Sequence, residues 1–187
     1  MELQHFNIKI FVEGDFNVDR TAIIAVFHDW VREQSLGELL IDVADYRHVP
    51  NGPGILVIGH QADYSMDHTD GRWGLRYNRK APQDGTNDDR LRQSIVAACH
   101  ACRLLETHFK ADGPLRFERN AFQIVVNDRA LAPNTTETLE ACQIEWKRFL
   151  TDALGHSDFH FEKPEETRKL VGVRVTAANP FDVPAKP

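Results

Sequence analysis

With 187 residues, 42% of them hydrophobic and 27% charged, the chain has the make-up of an ordinary globular protein and the length to bury a sizeable core. Its formal net charge of −6 and sequence pI near 5.8 argue against nucleic acid or an anionic membrane as partner, because both require a basic face. The opening MELQHFNIKIF does not read as a secretory leader, and no stretch approaches the roughly 18–20 apolar residues of a membrane span.

Phe6 to Val12 alternates Phe6, Ile8 and Ile10 with Asn7 and Lys9, which predicts a strand. Asp19 stands as N-cap of a helix over 20–35, with Ile23, Phe27, Trp30 and Val31 on one face and Gly37 at its end. His28 flanks that face and reads as a surface or boundary histidine. Residues 38–80 read as three strands, 39–49, 54–66 and 73–80, joined by the turn Pro50-Asn51-Gly52-Pro53 and a loop over 67–71. Gly59, inside the second strand, suggests a bulge or a close approach. After the polar loop 81–87, Asp88 or Asp89 is expected to cap a helix over 89–109. Its apolar stripe is Leu91, Ile95, Ala98, Cys102, Leu105 and Phe109, and Ala111 to Pro114 end it. LRFER and FQIVVND read as a hairpin around Asn120. Asn134-Thr135-Thr136-Glu137 resembles a capping box opening a helix over 135–154, with Gly155 as its stop. FHFE and KLVGVRV form two strands around the turn KPEETR, and the proline-rich end should be extended.

The expected fold is therefore α+β: a mostly antiparallel mixed sheet with three amphipathic helices packed on one side. It is read as a single domain over 1–187, with a division into halves 1–80 and 111–177, joined by 81–110, as the alternative. Residues 6–66 and 122–177 each read β-α-β-β, a pattern that would suit a pseudo-repeat, although the halves share little sequence. No glycine-rich phosphate loop follows a strand, so nucleotide binding by that device is not expected.

The polar chemistry concentrates in 38–80. If the Pro50–Pro53 turn pairs His48 with Gly54, Asp42 falls opposite His60, where a carboxylate would orient the imidazole and raise its pKa. Tyr64 shares the face of His60, and Asp63 takes the other. Two registers stay open for the third strand. One sets Arg76 against Ala62 and Asn78 against His60; the other sets Arg76 against Asp63 and Arg79 against His60. The candidate catalytic residues are thus Asp42, His60 and Tyr64, and the candidate ligand-binding residues are Asp63, Arg76, Asn78 and Arg79. The competing reading of the same residues is a solvated outer sheet face with cross-strand salt bridges, the commoner arrangement in antiparallel sheets. A divalent metal on His60, Asp63 and Asp67 would need side chains from opposite faces to converge, so no metal site and no cofactor are assigned. In Cys99-His100-Ala101-Cys102 the histidine points away from the two thiols of an intact helix. These two and Cys142 read as buried, reduced cysteines of a cytoplasmic protein.

Two functional readings follow. With no nucleophile beside a base and no complete metal motif, the preferred one is a non-catalytic binding or assembly protein. Its partner would be another protein or a second copy, with Phe181 and Val183 of the tail as apolar anchors. The other is a small enzyme using Asp42, His60, Tyr64 and an arginine for acid–base chemistry on a small anionic substrate. A cleft joining those three residues would favour the enzyme, and a flat solvated face the binding protein.

Overall fold

The computed structural model describes residues 1–110, 115–163 and 170–181. Its elements are β1 (Phe6–Val12), α1 (Arg20–Glu33), β2 (Leu40–Tyr46), β3 (Gly54–Gly59), β4 (Ala62–Asp67), β5 (Gly74–Arg79), α2 (Asn87–His108), β6 (Phe117–Val126), α3 (Thr136–Leu154), β7 (Phe159–Glu162) and β8 (Gly172–Ala177). The eight strands form one antiparallel sheet in the order β2-β3-β4-β5-β1-β6-β8-β7. The fold is α+β, as the periodicities predict. The expected helix stop at Ala111–Pro114, residues 164–168 of the KPEETR turn, and Val183 lie outside the described residues.

Each helix exists because its apolar residues repeat at helical spacing and its first turn has a side-chain cap. Asp19 accepts from Thr21 N, as expected. The second cap is Thr86 rather than Asp88 or Asp89; Asp89 instead returns the bond to the Thr86 backbone and closes a capping box. Thr135 caps α3, and Gly155 ends it in the left-handed region at φ 73°. The end of α1 is not at Gly37. Gln34 itself adopts the left-handed conformation, φ 51°, and stops the helix three residues early. α1 packs on β2 and β3, and α2 on β1 and β5. Phe149 and Leu150 of α3 meet Ile95 of α2 and Phe122 of β6. Cys99, Cys102 and Cys142 are buried, and burial raises the Cys102 thiol and pushes Cys142 up to about 11.

Strand connectivity departs from the expectation twice. The run 54–66 is not one strand: it folds back through His60-Gln61 into β3 and β4. Gly59 permits this, since a Cβ there would lie 2.3 Å from the Ala62 carbonyl oxygen. Conversely, Asn120 is no turn, and the expected hairpin around it is the single ten-residue strand β6. Each half then follows one plan. A strand leads into a helix and then a meander, and the last strand of the meander pairs with the first strand: β5 with β1, and β8 with β6. β1 and β6 join the halves antiparallel, and α2 links them.

The sheet face away from the helices is polar but tightly closed. Lys9 lies opposite Arg76 on one side and Gln123 on the other, and Gln123 lies opposite Arg174. The side chains of Lys9 and Asp67 are 1% and 0% exposed and pair at 2.6 Å. Lys9 Nζ also donates to Thr69 O at 2.8 Å, which ties the 68–73 loop down. Burial lowers the Lys9 ammonium, and Asp67 opposes that shift.

Candidate functional site

The register of 38–80 separates the residues grouped by the sequence. β2 and β3 pair two residues out of the expected phase: Tyr46, not His48, faces Gly54, and Asp42 faces Ile58. The cause is that 47–53 makes a longer connection, with Val49 N donating to Tyr46 O and Gly52 N to Val49 O. Asp42 and His60 are therefore not cross-strand neighbours. Asp42 is exposed and caps its own Val43 N at 2.8 Å. His60 is exposed in the β3–β4 turn, its backbone N donating to Leu39 O. Across β4 and β5, Asp63 faces Asn78, Ser65 faces Arg76 and Ala62 faces Arg79, a register outside both expected ones.

Alternation then divides the candidates by face. Asp63, Arg76 and Asn78 lie on the outer face. There Asp63 pairs with Lys80 at 2.6 Å, Arg76 Nη1 donates to Asp67 Oδ2 at 3.2 Å, and Asn78 Oδ1 accepts from Asn127 Nδ2. Tyr64 and Arg79 are on the inner face, beside the buried Tyr77, whose ring meets that of Tyr64 edge-on at 5.1 Å.

Of these inner residues Tyr64 lines a cleft of about 620 Å³, and Tyr77 and Arg79 approach it through Glu38. One wall is α2, which turns Asp89, Arg92, Gln93, Val96, Ala97 and His100 toward it at helical spacing. The other side is the α1–β2 connection, at Gly37 and Glu38. Gln34 sets that connection. From its left-handed position its side chain donates to Val31 O at 2.7 Å and Leu40 O at 2.9 Å, and accepts from Leu40 N at 2.9 Å. Leu36 and Leu40 are buried on either side, so Glu38 is carried over the sheet.

Glu38 is the centre of the floor. Its Oε1 accepts from the Tyr77 hydroxyl at 3.0 Å and from Gln93 Nε2 at 3.3 Å. Arg79 Nη1 lies 3.8 Å from the same oxygen; the Arg79 and Glu38 side chains are 11% and 10% exposed. Glu38 Oε2 is buried and has no hydrogen-bond partner among the described residues. Arg79 does not turn to it, because its Nε donates to Ala81 O and its Nη2 to Pro82 O. Burial first, and the Glu38 charge second, hold both the Tyr64 and Tyr77 phenols above the ordinary tyrosine range. Both stay protonated at neutral pH and serve as donors, not bases.

Of the sequence candidates, Tyr64 lines the cleft, and Arg79 lies beside it as the ion-pair neighbour of Glu38. Glu38, Tyr77 and Gln93 were missed. The available signal was the pair of tyrosines at inward positions, since a buried phenol needs a partner for its hydroxyl. Phe181 packs edge-on against Phe122 of its own chain, ring centres 4.9 Å apart, so this tail anchor is satisfied within the chain. Among the described residues no helix is long and apolar enough to cross a membrane. Comparison with family models, with curated proteins and with solved structures returns no match, so the cleft is interpreted from its own chemistry.

Proposed function

We propose that the protein is a non-catalytic binding protein that holds a small organic molecule between α2, the α1–β2 connection and the inner face of β4. The supporting observation is the cleft itself, about 620 Å³ in volume, lined by Val96, Ala97 and Tyr64 together with the polar Glu38, Asp89, Gln93 and His100. Small-molecule sites combine such a concavity of ~300–1,000 Å³ with a few placed polar groups. The raised phenols and the engagement of Glu38 Oε1 by two donors favour binding over proton transfer. A fragment screen followed by amide NMR tests this. Hits should shift Gln93, Val96, Ala97 and His100 together, and Ala97→Trp, which fills the cleft, should abolish those shifts. A broad library without one hit on these amides would remove the proposal.

Assembly with a protein partner or a second copy is a second reading. It rests on Leu39, Ile41 and Tyr46, which stand exposed at the free edge strand β2. Exposed apolar edges pair with other strands. Light scattering that finds only monomer at high concentration would remove the self-association form, and Ile41→Lys should dissociate any dimer found.

A further inference from the structure

We infer that the ligand presents a protonated amine to the Glu38 carboxylate, with its apolar body against Val96, Ala97 and the Tyr64 ring. The inference rests on the proposal that the cleft is a small-molecule site and specifies what that site takes. Glu38 is nine-tenths buried and lines the cleft. One of its oxygens is taken by Tyr77 and Gln93, and the other has no hydrogen-bond partner among the described residues. A buried carboxylate oxygen left without a donor is unfavourable, and native chains rarely keep one without a reason. Tyr64 interacts with this carboxylate through both charge and its hydroxyl, but no donor among the described residues meets hydrogen-bond geometry at Oε2.

The neighbouring charges select a cation over an anion. Asp89 adds a second carboxylate to the cleft lining. Its bonds from Thr86 N and Oγ1 lower its pKa and keep it ionised. The Arg92 guanidinium also lines the cleft, and it is engaged over the Phe149 ring, 5.1 Å from its centre. Arg79 lies behind Glu38 and spends its remaining donors on Ala81 and Pro82 carbonyls. An anionic ligand would face the carboxylates of Glu38 and Asp89, whereas an ammonium would add a donor to a carboxylate with one oxygen left without a hydrogen bond among the described residues. A charge-assisted bond of this kind is roughly twice as strong as a neutral one.

The test uses three probes of one shape: phenethylamine, phenethyl alcohol and phenylacetate. Each is titrated into the labelled full chain, with binding read from the amides of Gln93, Val96, Ala97 and His100. The amine should bind about tenfold more tightly than the alcohol, and phenylacetate most weakly. In Glu38→Gln the amine's advantage over the alcohol should vanish while the alcohol still binds. The comparison among the three probes on the unaltered protein needs no variant, so it stands even if Glu38→Gln folds poorly. Equal binding of the three, preference for phenylacetate, or an amine advantage that persists in Glu38→Gln would overturn the amine assignment and leave the small-molecule reading in place. Absence of cleft shifts with these probes and with the whole fragment library would overturn both.

Discussion

Two carboxylates lie buried on opposite faces of one sheet, and they are treated differently. Asp67, on the outer face, is fully satisfied. Its Oδ1 accepts from Lys9 Nζ, from Thr69 N and from the Thr69 hydroxyl, and its Oδ2 from Arg76. Glu38, under α2, is satisfied on Oε1 alone. Asp67 has three chain segments to hold and no opening above it. Glu38 has a cleft above it and one oxygen to spare. Burial of a charge is therefore a poor marker of function by itself. Incomplete satisfaction beside an opening is the better one, because a closed network has nothing left to offer a ligand.

The most severe way to break this contrast is on the outer face. Asp67→Ala leaves the Lys9 ammonium buried without its counter-charge, together with an unpaired Arg76. The expected loss is about 3–5 kcal/mol of unfolding free energy, read by chemical denaturation. Binding in the cleft of the folded fraction should be unchanged. A loss below 1 kcal/mol would mean that Asp67 does not lock the face as described.

On the inner face the loss should be smaller and should carry a pH signature. Tyr77→Phe removes a donor to the Glu38 carboxylate and should cost about 1.5–3 kcal/mol, the range for hydrogen bonds to charged groups. The sign of the pH effect follows from the raised phenols. Above the ordinary tyrosine pKa of 10.0 the unfolded chain loses phenol protons that the folded chain keeps, so stability should fall as pH rises beyond that point. Tyr77→Phe should make the alkaline limb shallower. Lys9 acts in the opposite direction. Its pKa is lowered from 10.5, so between the lowered value and 10.5 the unfolded chain binds the extra proton and stability rises with pH. Denaturation curves across the alkaline range should therefore rise and then fall. A limb unaffected by Tyr77→Phe would remove Tyr77 from the explanation.

The helices were legible because apolar periodicity is a local property, and Ile23, Phe27 and Trp30 or Leu91, Ile95 and Ala98 declare their face within a few turns. The turn at His60-Gln61 was not, because it lacks the Asn-Gly or Asp-Gly pair of most two-residue hairpins, and only Gly59 marks it. About eight strands were expected and eight are present among the described residues, yet one expected strand was split and two were merged. Tyr64 and Arg79 could be singled out from strand alternation and a nearby turn. Their partners could not: Tyr77 meets Glu38 across 39 positions, and Gln93 meets it across 55. Such contacts depend on how α1 ends, which rests on the unusual conformation of Gln34. The expected Asp42–His60 pair failed on a shift of two residues, which preserves every face and so leaves the apolar pattern unable to warn of it.

The position of β1 has a kinetic consequence. It is the first strand of the chain, yet it sits between β5 and β6 in the interior of the sheet. The β2-to-β5 meander can form from neighbouring hairpins with short loops to close, and so can β7 with β8. β1 can complete its pairing only once residues 74–79 and 117–126 are both in place. Closing those long loops is an entropic cost met before the contacts form. Pairing of β1 on both edges is accordingly expected as a late step, the one that turns two separately closed sets of strands into one sheet.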